Sequence, residues 1–170
     1  MDVSTGDQLE ILGRLVLAGF LGALIGLERD LRGYPAGIRT IALVALGSAL
    51  FTDVSLRMGG DDRVAAQIVT GIGFIGAGVI FREGSGVRGI TTAATIWSAA
   101  AIGMAVGIEL YVVAVVGALA VFALLQSKPL TRRAEDELRR RFGGQPEDDE
   151  NGERHDQMRP LDEPRGRPEE

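Results

Sequence analysis

The chain contains no cysteine among its 170 residues. That absence excludes a disulfide scaffold, thiolate zinc sites, iron–sulfur clusters and a cysteine nucleophile. Histidine occurs once, as His155 in a polar stretch near the C-terminus. A catalytic histidine or a poly-histidine metal site is therefore not expected. No Ser-His-Asp set, His/Asp metal cluster or pair of catalytic carboxylates stands out. Gly84-Ser85-Gly86 superficially suggests a phosphate cradle, but no Lys-Ser/Thr follows it and no strand is expected before it, so it is not a P-loop. The chain is expected to be neither an enzyme nor a holder of a metal or cofactor.

What is present is apolar sequence. Hydrophobic residues make up 46% of the chain, glycine contributes 24 residues, and mean hydropathy is +0.16. The net charge of −5 conceals a strongly apolar front and a polar back that begins after Ser127. Five segments carry the apolar residues: 9–27, 39–56, 64–81, 90–107 and 110–127. A bilayer core of about 30 Å needs roughly 17–25 helical residues. A soluble bundle would show a polar face along each helix. Val64–Phe81 offers only Gln67 and Thr70 as clearly polar side chains, and Gly89–Ile108 offers only Thr and Ser. Those hydroxyls can bond to their own helix backbone, so lipid tolerates them. The expected fold is an all-α integral membrane domain of five transmembrane helices over 9–127. A polar cytoplasmic tail over 128–170 follows. It is Pro- and Glu-rich from about residue 145, with few large apolar residues, and is expected to be disordered there.

Basic residues set the expected topology. Arg29, Arg32, Arg39, Arg82, Arg88, Lys128, Arg132, Arg133, Arg139, Arg140 and Arg141 fall on one side of a five-span arrangement; Arg57 and Arg63 fall on the other. The side with eleven should be cytoplasmic, which puts the N-terminus outside. Treating 90–127 as one bent unit would place the Arg-rich tail outside, which the same bias opposes.

The first two spans resemble the next two. Gly19–Ala23 matches Gly73–Ala77 at an offset of 54, and Gly37–Ala42 matches Gly89–Ala94 at an offset of 52. Each unit reads span, basic loop, span, which suggests a two-fold parallel repeat of helix hairpins plus a fifth helix. Chance similarity between Gly/Ala-rich helices accounts for the match equally well. Small residues four apart let helix backbones touch in lipid, where apolar burial supplies no drive. Gly22, Gly26, Gly73, Gly76, Ala77, Gly78 and Gly103 are the expected packing positions, with Trp97 filling a gap between helices.

Charge at the membrane edge marks the candidate functional positions. The first loop runs Glu28-Arg29-Asp30-Leu31-Arg32-Gly33-Tyr34-Pro35-Ala36-Gly37-Ile38-Arg39-Thr40. Anchoring on the positive-inside side explains the arginines, but not the carboxylates or the turn. Arg39 should pair with Glu28 or Asp30, because antiparallel spans bring both ends of the loop to one surface. The third loop, with Arg82, Arg88, Gly89, Thr91 and Thr92, echoes the first. On the opposite side, Glu10 and Arg14 can pair at i,i+4 and Asp53 could join them. Asp61-Asp62 forms only a weak candidate for a divalent ion.

Across residues 12–126 the two blocks resemble the MgtC/SapB family of bacterial inner-membrane proteins. One block is ALIGLERDLRGYPAGIRTIALVALGSALF; the other begins AAQIVTGIGFIGAG and continues through VRGITTAATIWSAAAIGMAVG. The matching positions are Glu28, Arg29, Gly33, Ala36, Gly37, Arg39 and Thr40, then Gly73, Phe74, Gly76, Ala77, Gly78, Arg88, Gly89, Thr91, Thr92, Ala93 and Trp97. The resemblance implies a multi-span domain of the bacterial inner (plasma) membrane. It also implies a link to adaptation to low magnesium and action on a membrane complex such as the F-type ATP synthase. Several members carry an ACT-like cytoplasmic domain after the spans, which this chain is expected to lack. Two functions remain: a non-enzymatic regulator of a membrane complex, and a transporter of magnesium or another ion. Transporters usually place charged or polar groups at the midplane. Here the charges cluster at span ends, which favours the regulator. Expected partners are membrane lipid, another membrane protein complex and a further copy of the chain, with no nucleic acid.

Overall fold

The computed structural model describes residues 4–60, 62–83 and 86–127, and within them it is helical apart from one short hairpin. Helix α1 spans Thr5–Leu31, α2 Ile38–Arg57, α3 Asp62–Gly78, α4 Ile90–Gly107 and α5 Tyr111–Gln126. Strands β1 (Phe81–Glu83) and β2 (Gly86–Arg88) pair antiparallel, with Phe81 opposite Arg88 and Arg82 opposite Val87. The third apolar segment is thus helical only to Gly78. Its last residues leave the helix through Val79 N–H to Gly76 and Ile80 N–H to Ala77 bonds and enter β1. The expected tail over 128–170, with disorder from about 145, and the Asp61–Asp62 pair lie outside the described residues and side chains.

Local signals account for the helix ends. Ser4 and Asp7 form a reciprocal cap, with Asp7 N–H donating to Ser4 Oγ at 3.2 Å and Ser4 N–H to Asp7 Oδ2 at 3.0 Å. At the far end of α1, Tyr34 N–H reaches Arg29 O and Gly33 N–H reaches Asp30 O, with Gly33 at φ +70°. This paired closure needs a left-handed residue, which glycine adopts without a Cβ clash. Helix α2 ends the same way over Gly59 and Gly60. Helix α4 does so as well, but with Glu109 at φ +65° in the left-handed position. This sharp turn separates α4 from α5 as two helices.

Helix α4 packs against all four other helices, and α1 against α2 forms the most extensive pair. The buried stripe of α1 is Ala18, Leu21, Gly22, Ile25, Gly26, Glu28 and Arg29, at the three- and four-residue steps of one helix face. On α2 it is Ile41, Ala45, Ser48, Ala49, Thr52 and Asp53. Small residues set the spacing between these stripes. A Cβ on Gly22 would lie 2.7 Å from Ile41 O, and one on Gly26 would lie 2.6 Å from Ile38 Cα. A Cβ on Gly103 would overlap Ala45 O, and one on Gly107 would lie 2.7 Å from Thr52 Cβ. Intrahelical hydroxyl bonds recur as expected: Thr52 to Ser48 O, Thr95 to Thr91 O, Thr70 to Ala66 O and Ser98 to Ala94 O.

The outer surface is apolar. Phe20, Leu43, Phe51, Phe74, Val112, Val116, Leu119 and Leu124 are all exposed. Side chains of this kind, covering several helices, are stable against acyl chains and not against water. Helices α1, α2 and α4 are long and apolar enough to cross a membrane. Helices α3 and α5 are apolar but shorter. At 1.5 Å per residue, 16 residues reach only about 24 Å.

Candidate functional site

Two clusters of charge lie about 22 Å apart along α1, from the 15-residue separation of Arg14 and Arg29. At the first, Arg14 sits on the buried side of α1 and joins three elements. Its Nη1 donates to Asp53 Oδ1 on α2 at 3.0 Å, and its Nη2 lies 2.6 Å from Glu109 Oε1 in the α4–α5 turn. Glu10, one helical turn away, is 3.6 Å from the same guanidinium. Arg57 Nε holds the other oxygen of buried Asp53 at 2.8 Å. Glu10, Arg14 and Asp53 do come together as their positions suggested. Glu109 was missed by sequence reasoning. The available signal was a charged residue, not glycine, at the start of the break between two apolar runs. Its backbone is left-handed, which costs on the order of 1 kcal/mol or more outside glycine. An opening of about 400 Å³ beside this cluster is lined by Glu10, Gly13, Arg14, Leu17, Glu109 and Tyr111.

The second cluster contains the loop residues. Arg29 is completely buried. Its Nη2 donates to Thr92 Oγ1 at 2.7 Å, joining α1 to the first turn of α4. The ring of Tyr34 covers the guanidinium, with its centroid 3.7 Å from Cζ. Among the described residues, Arg29 Nε and Nη1 have no hydrogen-bond partner. Glu28, also buried, has Oε1 at 2.7 Å from Arg32 Nε. That is an ion pair by distance, but the N–H is not aimed at the oxygen, and neither Glu28 oxygen accepts a hydrogen bond among the described residues. Arg32 also reaches Gln126 at the end of α5. Asp30 caps α2: Ile38 N–H donates to Asp30 Oδ2 at 2.9 Å. Gly37 leaves room for this cap, because a Cβ there would overlap the Asp30 carboxylate and displace it.

These contacts correct several expectations. Arg39 does not pair with Glu28 or Asp30. Its side chain is exposed, and both carboxylates are engaged elsewhere, by Arg32 and by the α2 N-terminus. Thr40 is likewise exposed. The buried arginine of the loop is Arg29, placed inward by its position on the Leu21–Ile25 stripe. Arg82, Arg88 and Thr91 are exposed, while Thr92 is buried. Gly89 opens α4 at φ +92°, where a Cβ would overlap Val79 O. Among the packing candidates, Gly22, Gly26 and Gly103 make close backbone approaches. Gly76 faces Ala93 with room for one methyl group, its Cβ position being 3.5 Å from Ala93 Cβ. Cβ atoms on Gly73 and Gly78 would meet nothing within 4 Å, and Ala77 is exposed, because α3 is peripheral and turns that face outward. Trp97 fills no gap between helices. It is 53% exposed and lines an apolar groove of about 280 Å³ with Val69 and Met104.

A helical bundle with an apolar exterior and charged groups paired near its two ends defines a multi-span membrane protein. The chain belongs to the MgtC family, whose model matches residues 15–134. It is 51% identical over 138 residues to Protein MgtC of Brucella abortus (strain 2308), covering 76% of this chain and 57% of that protein. Over 96 residues it is 56% identical to Protein MgtC of Salmonella typhimurium (strain LT2), covering 55% of this chain and 42% of the relative. The chain thus spans about half the length of these relatives. No solved structure matches it.

Proposed function

We propose that the chain is a non-enzymatic inner-membrane protein of the MgtC type that regulates a membrane complex and does not itself carry ions. The observation behind this reading is the state of the carboxylates. Asp53 is held by Arg14 and Arg57, Glu109 and Glu10 by Arg14, and Glu28 by Arg32. A divalent cation would have to displace a guanidinium from each of them. Arg14 and Arg29 act as staples between helices, and the exposed apolar helix faces leave surface for contact with another membrane protein. The F-type ATP synthase is the candidate partner that the family resemblance supplies.

All five helices cross the bilayer in this reading, with the N-terminus outside and the cluster around Arg29 at the cytoplasmic surface. The shorter α3 and α5 are accommodated by local thinning of the bilayer, at a modest cost per Å of mismatch. Equivalent contacts support an internal repeat. Gly22 meets Ile41 in the first hairpin, and its counterpart Gly76 meets Ala93, the counterpart of Ile41, in the second. Both second helices also begin at a glycine, Gly37 and Gly89.

Purified chain in sealed vesicles tests the functional reading. Magnesium entry, followed by an internal fluorescent indicator, should match that of protein-free vesicles. Saturable entry that requires the protein would establish the transporter instead.

A further inference from the structure

Among the described residues, no carboxylate lies within ion-pair distance of Arg29. Arg29 is fully buried, two of its three nitrogens lack a partner among the described residues, and Glu28 is given to Arg32. A buried guanidinium without a matching anion is unfavourable relative to a paired one. The two helix starts at this end of the bundle differ in a telling way. The N-terminus of α2 holds the Asp30 carboxylate. Among the described residues no side chain caps the N-terminus of α4, and the residue that corresponds to Asp30 at the offset of 54 is Gly84. Arg29 instead reaches Thr92, the third residue of α4. Helix N-termini present free N–H groups and a positive end of the helix dipole. A buried arginine and an uncapped helix start therefore converge on one place.

We propose that this place is a binding site for a phosphate-type oxyanion, which does at α4 what Asp30 does at α2. Arg29 Nη1 or Nε, the first N–H groups of α4 and the hydroxyl of Thr91 or Thr92 supply the donors. Such a set suits a tetrahedral oxyanion at a helix start. The Tyr34 ring lies over the guanidinium and belongs to the loop between Gly33 and Gly37, so the anion gains access as that ring swings aside. The same chemistry is offered by free phosphate and by a phospholipid headgroup. The site does not depend on whether the protein regulates a partner or moves an ion.

The full chain in a phospholipid-free maltoside detergent provides the test. Sodium phosphate is titrated at constant ionic strength set with sodium chloride, and thermal unfolding is followed by the fluorescence of Trp97, with calorimetry for affinity. Phosphate should stabilise the chain saturably, and chloride should not. Arg29→Gln should weaken binding by about tenfold or more, the worth of a charge-assisted hydrogen bond. Arg39→Gln removes an exposed charge at the same end and should leave binding intact. Because Arg29→Gln can fail to fold, Tyr34→Ala gives a second reading. Without the covering ring, affinity should rise about two- to fivefold, which corresponds to the loss of a weak cation–π contact. Transfer to phosphatidylcholine or phosphatidylglycerol nanodiscs separates the sources. A headgroup occupant abolishes the response to added phosphate, and a free anion preserves it. The proposal is overturned if neither wild type nor Tyr34→Ala responds saturably in detergent. An equal response to chloride, or an equal loss in Arg39→Gln and Arg29→Gln, overturns it as well.

Discussion

Gly103 and Gly73 look alike in sequence, each a glycine in a long apolar run, yet they occupy opposite environments. A methyl group on Gly103 would enter the space of the Ala45 carbonyl oxygen, which is backbone and cannot rotate away. Helices α2 and α4 would have to separate. Gly103→Ala should therefore destabilise the chain by about 1–3 kcal/mol, the usual range for overpacking. Gly73→Ala meets open space and should be neutral or stabilising by up to about 1 kcal/mol through helix propensity. Thermal midpoints of the two variants in detergent check this. A lower midpoint for Gly73→Ala than for Gly103→Ala would contradict the packing described. The same comparison applies at Gly76, where alanine fits against Ala93 and a larger side chain does not.

Elements are joined here by charged side chains as well as by apolar packing. Asp30 holds the first turn of α2, and its removal should cost about 0.5–2 kcal/mol, as for other helix caps. The Gly37 Cβ position overlaps that same carboxylate, so the two residues are coupled. Gly37→Ala should cost no more than the loss of that cap, because the Asp30 carboxylate can rotate away, and should add little once Asp30→Ala is present. A double-mutant cycle on thermal stability would reveal that non-additivity; simple addition would mean that the loop relaxes around both. At the other end, Arg14→Leu leaves buried Asp53 with Arg57 alone and frees the α4–α5 turn. It should destabilise the chain more than Glu10→Gln, since Glu10 is 72% exposed and 3.6 Å away. Exposed pairs of that kind contribute about 0–1 kcal/mol. Equal midpoints for the two variants would show that Arg14 is not the residue binding these helices together.

For the whole molecule, orientation is the quantity most directly open to experiment. If eleven basic residues near the spans mark the cytoplasmic side, a reporter fused after Ser127 should be active only when it reads cytoplasmic location. One fused before Ser4 should be active only outside. The opposite pattern would reverse the sidedness of both charged clusters. It would also place Arg29 and the exposed Arg39, Arg82 and Arg88 at the outer surface. The loop between α3 and α4 bears on the same question. Val79, Ile80 and Phe81, which an apolar count assigns to the third span, leave the helix and lead into its β1–β2 hairpin, so α3 is brief; it sits at the periphery of the bundle.

The sequence by itself determined that the chain is a helical membrane protein, because apolar runs without a polar face have no stable place in water. It also located the helices to within about four residues, since charged breaks separate those runs. The grouping of Glu10, Arg14 and Asp53 was legible too, from helical spacing and antiparallel spans. Tertiary structure alone decided which arginine is buried. Arg29 and Arg39 both sit at the membrane edge with carboxylates nearby, and only the rotation of α1 against α4 turns Arg29 inward to Thr92 and leaves Arg39 exposed. It alone decided which glycines are contacts, because spacing along one helix does not say which face its neighbours occupy. Glu109 joined Arg14 for the same reason: the partner across a turn depends on where a third helix is packed, and no local pattern in the chain encodes that position.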